Sequence, residues 1–457
     1  MPELAQPASR FREIARGKLA DARVQTALDE ATNRLRTNRV GAWGNLPDVE
    51  ELRQQAHEIR MAVIDDLDAH VSRFTAALEA RGGHVFFART AAEASGYVAE
   101  VCRRRGATLA AKSKSMASEE IGLNEALEAV GVRPVETDLG EYILQLAGEH
   151  PEHILAPAIE KTADEVAELL SRAGGKPVPP ELEALTNAAR TQLRETFLQA
   201  DVGITGANFG VSETGSICLV TNEGNGRLVS SIPPVHVAIM GMERLVPSTA
   251  DLAVLLKLLA RSATGQKLSV YTTLLTGPRR PGETDGPEEQ HVVILDNGRS
   301  QLLRGRYREM LACIRCGACL NVCPVYRKAG GAAYSSVYSG PMGAVLLPLL
   351  VGLQQAPSLP HASSLCGACT EACPVKIPLH ELLLDLRRDL VEERVAPWLE
   401  RVGFTLWSLA WSRPLGYRLT TRLARLTQPL AGLVGPGRAW ARGRALPRLE
   451  RRYRDRR

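Results

Sequence analysis

Apolar positions in the first sixty residues recur three and four apart, in "ALDEATNRLRTNR" and "DVEELRQQAHEIRMAVI". That period predicts amphipathic helices, each with one face to bury. From about residue 63 the rhythm changes. A helical stretch running to Arg81 stops at Gly82-Gly83, and the short run "HVFFA" reads as a strand. A helix over 91–104, the strand "ATLAA", a helix opening near Ser118, the strand "VRPVE" and a helix through "EYILQLA" follow. Strands alternating with helices of this length predict right-handed crossovers and a parallel sheet.

Helices near 160–173 and 181–200 lead into a denser series of strands, "VGITG", "GSICLVT", "GRLVSSI" and "VHVAIM". The turn "NEGNG" (222–226) is expected to join two of them as a hairpin. A helix over Leu252–Arg261 and the strands "LSVYTTL" and "HVVILD" complete an α/β domain by about residue 297. The apolar run "GAVLLPLLVGL" (343–353) is about half of the roughly 20 residues a membrane-spanning helix needs. It contains Pro348 and reads as a core helix. Beyond 395 tryptophans and arginines gather, a pattern of amphipathic helices lying on the rest of the chain, a partner or a membrane surface. Four segments result: a helical extension over 1–60, an α/β domain over 61–300, a cysteine-bearing helical domain over 301–395 and an arginine-rich tail over 396–457.

The chain has 457 residues and a net charge of +5, more than one core usually organises. The positive charge concentrates at the end, as in "RRYRDRR". Such a tail attracts anionic surfaces, and its plain alternative is a solvated, partly disordered basic end. Behind "MPELAQPASRFREIARGK" stands no apolar block, so no secretory signal is expected. Seven of the nine cysteines crowd into 61 residues. Without an export signal, that clustering argues for metal rather than disulfides, and for a cytoplasmic protein.

Cys313, Cys316, Cys319 and Cys323 precede Pro324 with gaps of two, two and three residues, the spacing of a bacterial ferredoxin-type [4Fe–4S] site. Two-residue gaps let three thiolates wrap one face of a cuboidal cluster, and Gly317 and Ala318 keep the loop narrow. Structural zinc would call for two separated pairs instead. The second motif, "SSLCGACTEACPVKIP", carries Cys366, Cys369 and Cys373, with Ser363 where a first cysteine would stand. In two-cluster proteins the cysteine before proline ligates the other cluster. Exchanging those members gives one complete set, Cys313, Cys316, Cys319 and Cys373. The other set, Cys323, Cys366 and Cys369, is one thiolate short.

Three accounts of the short set stay open. It holds [4Fe–4S] with one iron on oxygen, water, His361 or a partner residue; it holds [3Fe–4S]; or it does not assemble. Ser363 also reads as a plain loop hydroxyl. Two neighbouring clusters make an electron relay the default function. Cys102 and Cys218 stand apart, on a helix and in an apolar strand, as ordinary buried thiols.

Signals in the α/β domain are weaker. Lys112 and Lys114, in "LAAKSKSMASEE", stand where a strand meets a helix, a place that suits an anion. The alternative is a capped, solvated helix start with Ser118 as N-cap. The glycine-rich "TGANFGVSETGSI" holds Asn208 and Ser212 as further anion candidates and Glu213 as a candidate general base or nucleophile. Without a visible partner for Glu213, structural turn chemistry is the favoured role. Asp138 and Glu141 also stand at a strand end. No GxGxxG after a strand, no P-loop and no HExxH occurs, so no nucleotide site is indicated, and no nucleic-acid partner is expected.

The segments "KSKSMASEEIGLNEALE", "ETDLGEYILQLAGEHPEHILAPAI", "DVGITGANFGVSETGSICLVTNEGNGR", "CIRCGACLNVCPVY" and "SSLCGACTEACPVKIPL" occur in this order. Together, over roughly residues 60–395, they resemble the lactate-utilization protein B family, iron–sulfur subunits of an L-lactate oxidising system. The resemblance implies an N-terminal lactate-utilization (LUD) domain, similar in fold to the sugar-isomerase and CoA-transferase group, followed by a domain with two [4Fe–4S] clusters. It implies the same two cysteine sets as ligands, three in the second. It implies partners too: a cysteine-rich A-type protein and a LUD-domain C-type protein. The expected function is electron transfer from lactate, oxidised to pyruvate, toward the respiratory chain, with the tail as a contact to the inner face of the membrane. The alternatives are an isomerase or CoA-transferase-like enzyme with structural or sensing clusters, or an electron-transfer subunit for another 2-hydroxy acid such as glycolate. After about residue 400 the match to the family weakens.

Overall fold

Leu109–Lys112, Val202–Gly206 and Val235–Gly241 are buried along almost their whole length, as strands covered by helices on both faces must be. A computed structural model describes residues 10–151, 153–395 and 398–431. The chain forms two units, residues 1–389 and 390–457. The first nine residues and the arginine-rich end beyond 431, with Trp440, lie outside the described residues.

The strands are β1 (His84–Ala88), β2 (Leu109–Lys112), β3 (Arg133–Glu136), β4 (Val202–Gly206), β5 (Phe209–Val211), β6 (Ser216–Thr221), β7 (Val235–Gly241), β8 (Leu245–Val246), β9 (Tyr271–Leu275) and β10 (Glu289–Leu295). Six form one sheet in the order β1-β10-β7-β4-β2-β3. All of its pairings are parallel, as the strand–helix alternation predicts. A smaller mixed sheet runs β8-β5-β6-β9.

Alternation along β7 splits the core. Val235, Val237 and Ile239 pack with Val98, Val101 and Leu127, while Ala238 and Met240 pack with Phe74 and Leu78. A third cluster, around Leu170, Leu185 and Leu193, closes over Leu109 and Ala111 of β2. The helix Gly340–Val351 is buried through Pro348, so "GAVLLPLLVGL" is a core helix as its length indicated.

Two local expectations fail. "GRLVSSI" lies within a helix, Asn225–Ser231, so "NEGNG" does not close a hairpin. The buried positions, Asn225, Gly226, Val229 and Ser230, follow the helical period, which so short a run does not distinguish from a strand. This helix rests so tightly on β4 that a Cβ at Gly203 would stand 1.8 Å from the Val229 carbonyl oxygen. The second concerns the helix near Ser118. It begins at Met116, and its N-cap is Ser115, whose hydroxyl accepts the Ser118 amide at 3.1 Å.

The N-terminal helices Phe11–Ala20, Ala22–Gly44, Val49–Asp65 and Leu67–Glu79 precede β1. In the second unit, helices Trp398–Trp411 and Pro414–Ala431 pack on one another, with Trp411 edge-on to Tyr417 at 5.1 Å. Trp398, Phe404, Trp407 and Leu426 remain exposed. No helix among the described residues is long and apolar enough to cross a membrane.

Candidate metal centre

The two cysteine motifs fold as copies. Each ends in a short helix, Ala318–Val322 or Ala368–Ala372, and these helices pack together. Each helix starts at a glycine in the left-handed region, Gly317 (φ 72°) and Gly367 (φ 82°). The residue before the second cysteine position is left-handed in both copies, Arg315 (φ 57°) and Leu365 (φ 55°). Such a bend turns successive amides inward.

Burial and mutual charge sort the seven thiols. Cys313, Cys316, Cys319 and Cys373 stand within electrostatic reach of one another, and together they line one cavity walled otherwise by Ile154, Ile314, Met342 and Val375. Cys323, Cys366 and Cys369 form a second such group. Cys319 and Cys369 link the two. Among the described residues no three His, Cys, Asp or Glu side chains converge to hold a single metal ion. Burial pushes the Cys316 and Cys373 thiols up to about 12. Only Cys366 is exposed, and the Ala368 amide and the Ser364 hydroxyl hold its thiol below the ordinary range.

Backbone amides face the sulfurs. Arg315 donates to Cys313 Sγ and Ile377 to Cys373 Sγ, each at 3.4 Å. The Ala318 amide serves Cys316, and those of Tyr326 and Val325 serve Cys323. Around the first group runs a collar of arginines. Arg39 donates to the Ala372 carbonyl at 3.0 Å, Arg53 to Cys373 at 2.8 Å, Arg60 to Ala312 at 3.3 Å and Arg244 to Cys313 at 3.0 Å. An apolar chamber with four thiolates, inward amides and a cationic surround fits an anionic cluster.

Against this chamber lies a larger cavity of about 300 Å³, at the carboxyl ends of β2, β4 and β7. Ile154, Arg315 and Cys316 form a wall common to both.

The LUD domain matches residues 71–295, and a 4Fe-4S dicluster domain matches residues 309–377. Lactate utilization protein B of Bacillus velezensis is 50% identical over 416 residues, 91% of this chain and 87% of the relative. The chain belongs to the lactate utilization protein B family. The namesake of Bacillus licheniformis is 47% identical over 456 residues, 98% of this chain and 96% of its own. A solved DUF162 protein of Deinococcus radiodurans aligns over 50% of this chain and 98% of its own at 15% identity. Its TM-score of 0.28 is too low to argue from.

Within this family framework, the α/β candidates part company. Lys114 and Asn208 line the larger cavity. Lys112 does not: it is buried with its ammonium on Glu136 at 2.5 Å and Glu119 at 3.4 Å. Ser212 is buried elsewhere, against His70 Nδ1 at 3.2 Å. Glu213 sits on an exposed turn and accepts the Thr249 amide at 3.4 Å, at the start of the helix Thr249–Ala263. Asp138 caps the helix Leu139–Ala147. The Glu141 carboxyl is buried beside Glu136 and pushed well up. Ser363 Oγ accepts the Leu365 amide at 3.1 Å. Cys102 and Cys218 are buried, as expected.

The arginine collar was not anticipated. Its signal lay in the first sixty residues, where Arg53 and Arg60 stand seven apart on one helix face, among apolar positions.

Proposed function

We propose that this chain is the iron–sulfur electron-transfer subunit of an L-lactate oxidising system, in which lactate becomes pyruvate and electrons pass toward the respiratory chain. The division of seven cysteines into two adjoining groups carries this reading. It occurs in a chain whose relatives bear the name lactate utilization protein B. In this reading Cys313, Cys316, Cys319 and Cys373 hold one [4Fe–4S] cluster, and Cys323, Cys366 and Cys369 hold a second. Bound there, the clusters supply one-electron carriers.

The protein's own groups tune such a site. The amides at Cys313 and Cys373 and the guanidinium groups of Arg39 and Arg53 favour added negative charge, and the apolar wall excludes water. In this reading electrons enter or leave through the second group, and the exposure of Cys366 supports that side. We read the fourth position there as an oxygen or imidazole ligand, with [3Fe–4S] as the alternative. A cysteine-rich A-type protein and a LUD-domain C-type protein are the partners, and the arginine-rich end meets the inner face of the membrane. A CoA-transferase-like alternative would need Glu213 at a pocket, and its position at the Thr249 amide lends that no support. The sheet's likeness to that fold group would not by itself supply an activity.

The test is anaerobic purification with partners, then iron, acid-labile sulfide and electron paramagnetic resonance before and after L-lactate. Cluster reduction that requires the partners is expected. Zinc in place of iron, or reduction of this chain by lactate with no partner present, overturns the reading.

A further inference from the structure

The cavity at the ends of β2, β4 and β7 has room for a small organic molecule and sits where open α/β sheets bind ligands. Its walls carry four cationic side chains, Lys114, Arg244, Arg299 and Arg315, against three carboxylates, Asp138, Glu223 and Glu243. Nearly all of this charge is committed elsewhere. Arg299 pairs with Glu120 at 2.7 Å and with Glu243 at 2.8 Å, and Arg315 reaches Glu243 at 3.4 Å. Arg244 serves the carbonyls of Cys313 and Ile314. Asp138 and Glu223 both accept amides from the first turn of the helix Leu139–Ala147.

Lys114 is the exception. The residue is half-buried, and its ammonium meets no hydrogen-bond or ion-pair partner among the described residues. Glu141 and Glu223 lie within its electrostatic reach without binding it, so its N–H donors stay available to an anion in the cavity. Donors accompany it. Ser113 and Asn225 face the cavity. Asn208 Oδ1 accepts the Val220 amide at 2.8 Å, which leaves its NH2 to the cavity. Leu219, Ile239 and Ala263 supply an apolar wall.

We propose that this cavity binds a small organic carboxylate bearing a hydroxyl or keto oxygen. Lys114 supplies the counter-charge, Ser113 and Asn208 the polar contacts, and Leu219 and Ile239 the wall for its carbon chain. A ligand seated there lies against Cys316, across a wall shared with the thiolate chamber. The anion class follows from the geometry, and the choice of a carboxylate rests on the lactate reading above.

The test is calorimetric titration of the anaerobic, cluster-loaded chain with pyruvate and with L-lactate, beside acetate and inorganic phosphate. Binding of pyruvate or lactate is expected, weakened at least tenfold in Lys114→Met, partly restored in Lys114→Arg and unchanged in Lys176→Met. Iron and sulfide content, equal in all variants, reports an intact fold. Pyruvate should also shift the paramagnetic spectrum of the reduced wild type but not of Lys114→Met. Phosphate binding as tightly as pyruvate, or pyruvate binding that survives Lys114→Met, overturns the proposal. If the assembled complex reduces its clusters with lactate at an unchanged KM in Lys114→Met, the electron-transfer reading stands and the cavity proposal falls. If the chain binds pyruvate but the complex takes no electrons from lactate, the reverse holds.

Discussion

Arg53 donates from Nε and Nη2 to one oxygen, the Cys373 carbonyl, at 3.1 and 2.8 Å, across 320 positions of sequence. The guanidinium stands beside the Cys373 sulfur's electrostatic field as well. A helix of the N-terminal extension thereby fixes the loop that supplies a cysteine to the first group. Arg53→Ala should cost about 2 kcal/mol, the range for hydrogen bonds from a charged donor. The cost would appear as a lower urea midpoint and faster iron release to a chelator. A variant that keeps its iron as long as the wild type would remove the clamp from the account.

The two cysteine groups predict separable losses. Cys373→Ala should remove the cluster shared with Cys313, even though Cys373 belongs to the second motif by sequence. Cys369→Ala should remove the other. Paramagnetic spectra of the reduced variants check this, each retaining a different signal. Loss of the same signal from both would refute the exchange. Cys102→Ala, at a buried thiol far from either group in sequence, should leave both signals intact.

Glu120 lies fully buried beneath a bidentate guanidinium, with Arg299 at 2.9 and 2.7 Å, and also accepts from Asn297 at 2.7 Å. Removing the Glu120 charge leaves Arg299 with Glu243 alone as its buried counter-charge. Glu120→Gln should therefore destabilise by about 2–3 kcal/mol, the range for lost hydrogen bonds to a charged group. Arg103→Ala breaks an exposed pair with Glu100 and should cost less than about 1 kcal/mol. Denaturant midpoints of the two variants decide the contrast.

Acid should weaken the fold through His236. Its ring is buried against the Thr205 hydroxyl at 2.9 Å, and burial holds it down to about 3, with His291 adding repulsion. Above the ordinary imidazole value of 6.5 it is neutral in both folded and unfolded chains. Below 6.5 the unfolded chain takes up a proton that the fold refuses. Stability is thus fully present above pH 6.5 and is lost as pH falls toward 3. Urea midpoints at pH 7.5 and 5.5 should differ by roughly 1 kcal/mol from this group. His236→Gln should flatten that slope, and an unaltered slope would assign the acid loss elsewhere.

Residues 398–457 hold fourteen arginines, no lysine and three acids, a net of +11, leaving −6 on the preceding 397 residues of a chain at +5. The protein should sediment with phosphatidylglycerol vesicles at low salt, and not with phosphatidylcholine vesicles. Removal of residues 398–457 should abolish this. Equal binding to both lipids would show that charge does not drive it.

Much of this was legible in the chain. β1, β2, β3, β4, β7 and β10 follow from short apolar runs, and their alternation with helices implies the parallel sheet. The cysteine spacing carries its own chemistry. What escaped depends on distance in sequence. The partners of Arg39 and Arg53 are unreadable until the fold sets them on Ala372 and Cys373. The larger cavity draws Lys114, Asn208 and Cys316 from three separate stretches. Lys112 and Lys114 look equivalent on paper. Lys112 is the last residue of its strand and stands among carboxylates, whereas Lys114 lies two residues past the strand's end, at the open end of the sheet.

The clamp from Arg53 to Cys373 also sets a timetable. During synthesis the first helices leave the ribosome long before the carbonyl they must hold, so the cysteine-bearing region stays incomplete until residue 373 has emerged. Completion of the first cysteine group is therefore a late event in synthesis. A message truncated anywhere before residue 373 would yield a sheet with nothing to wire it to.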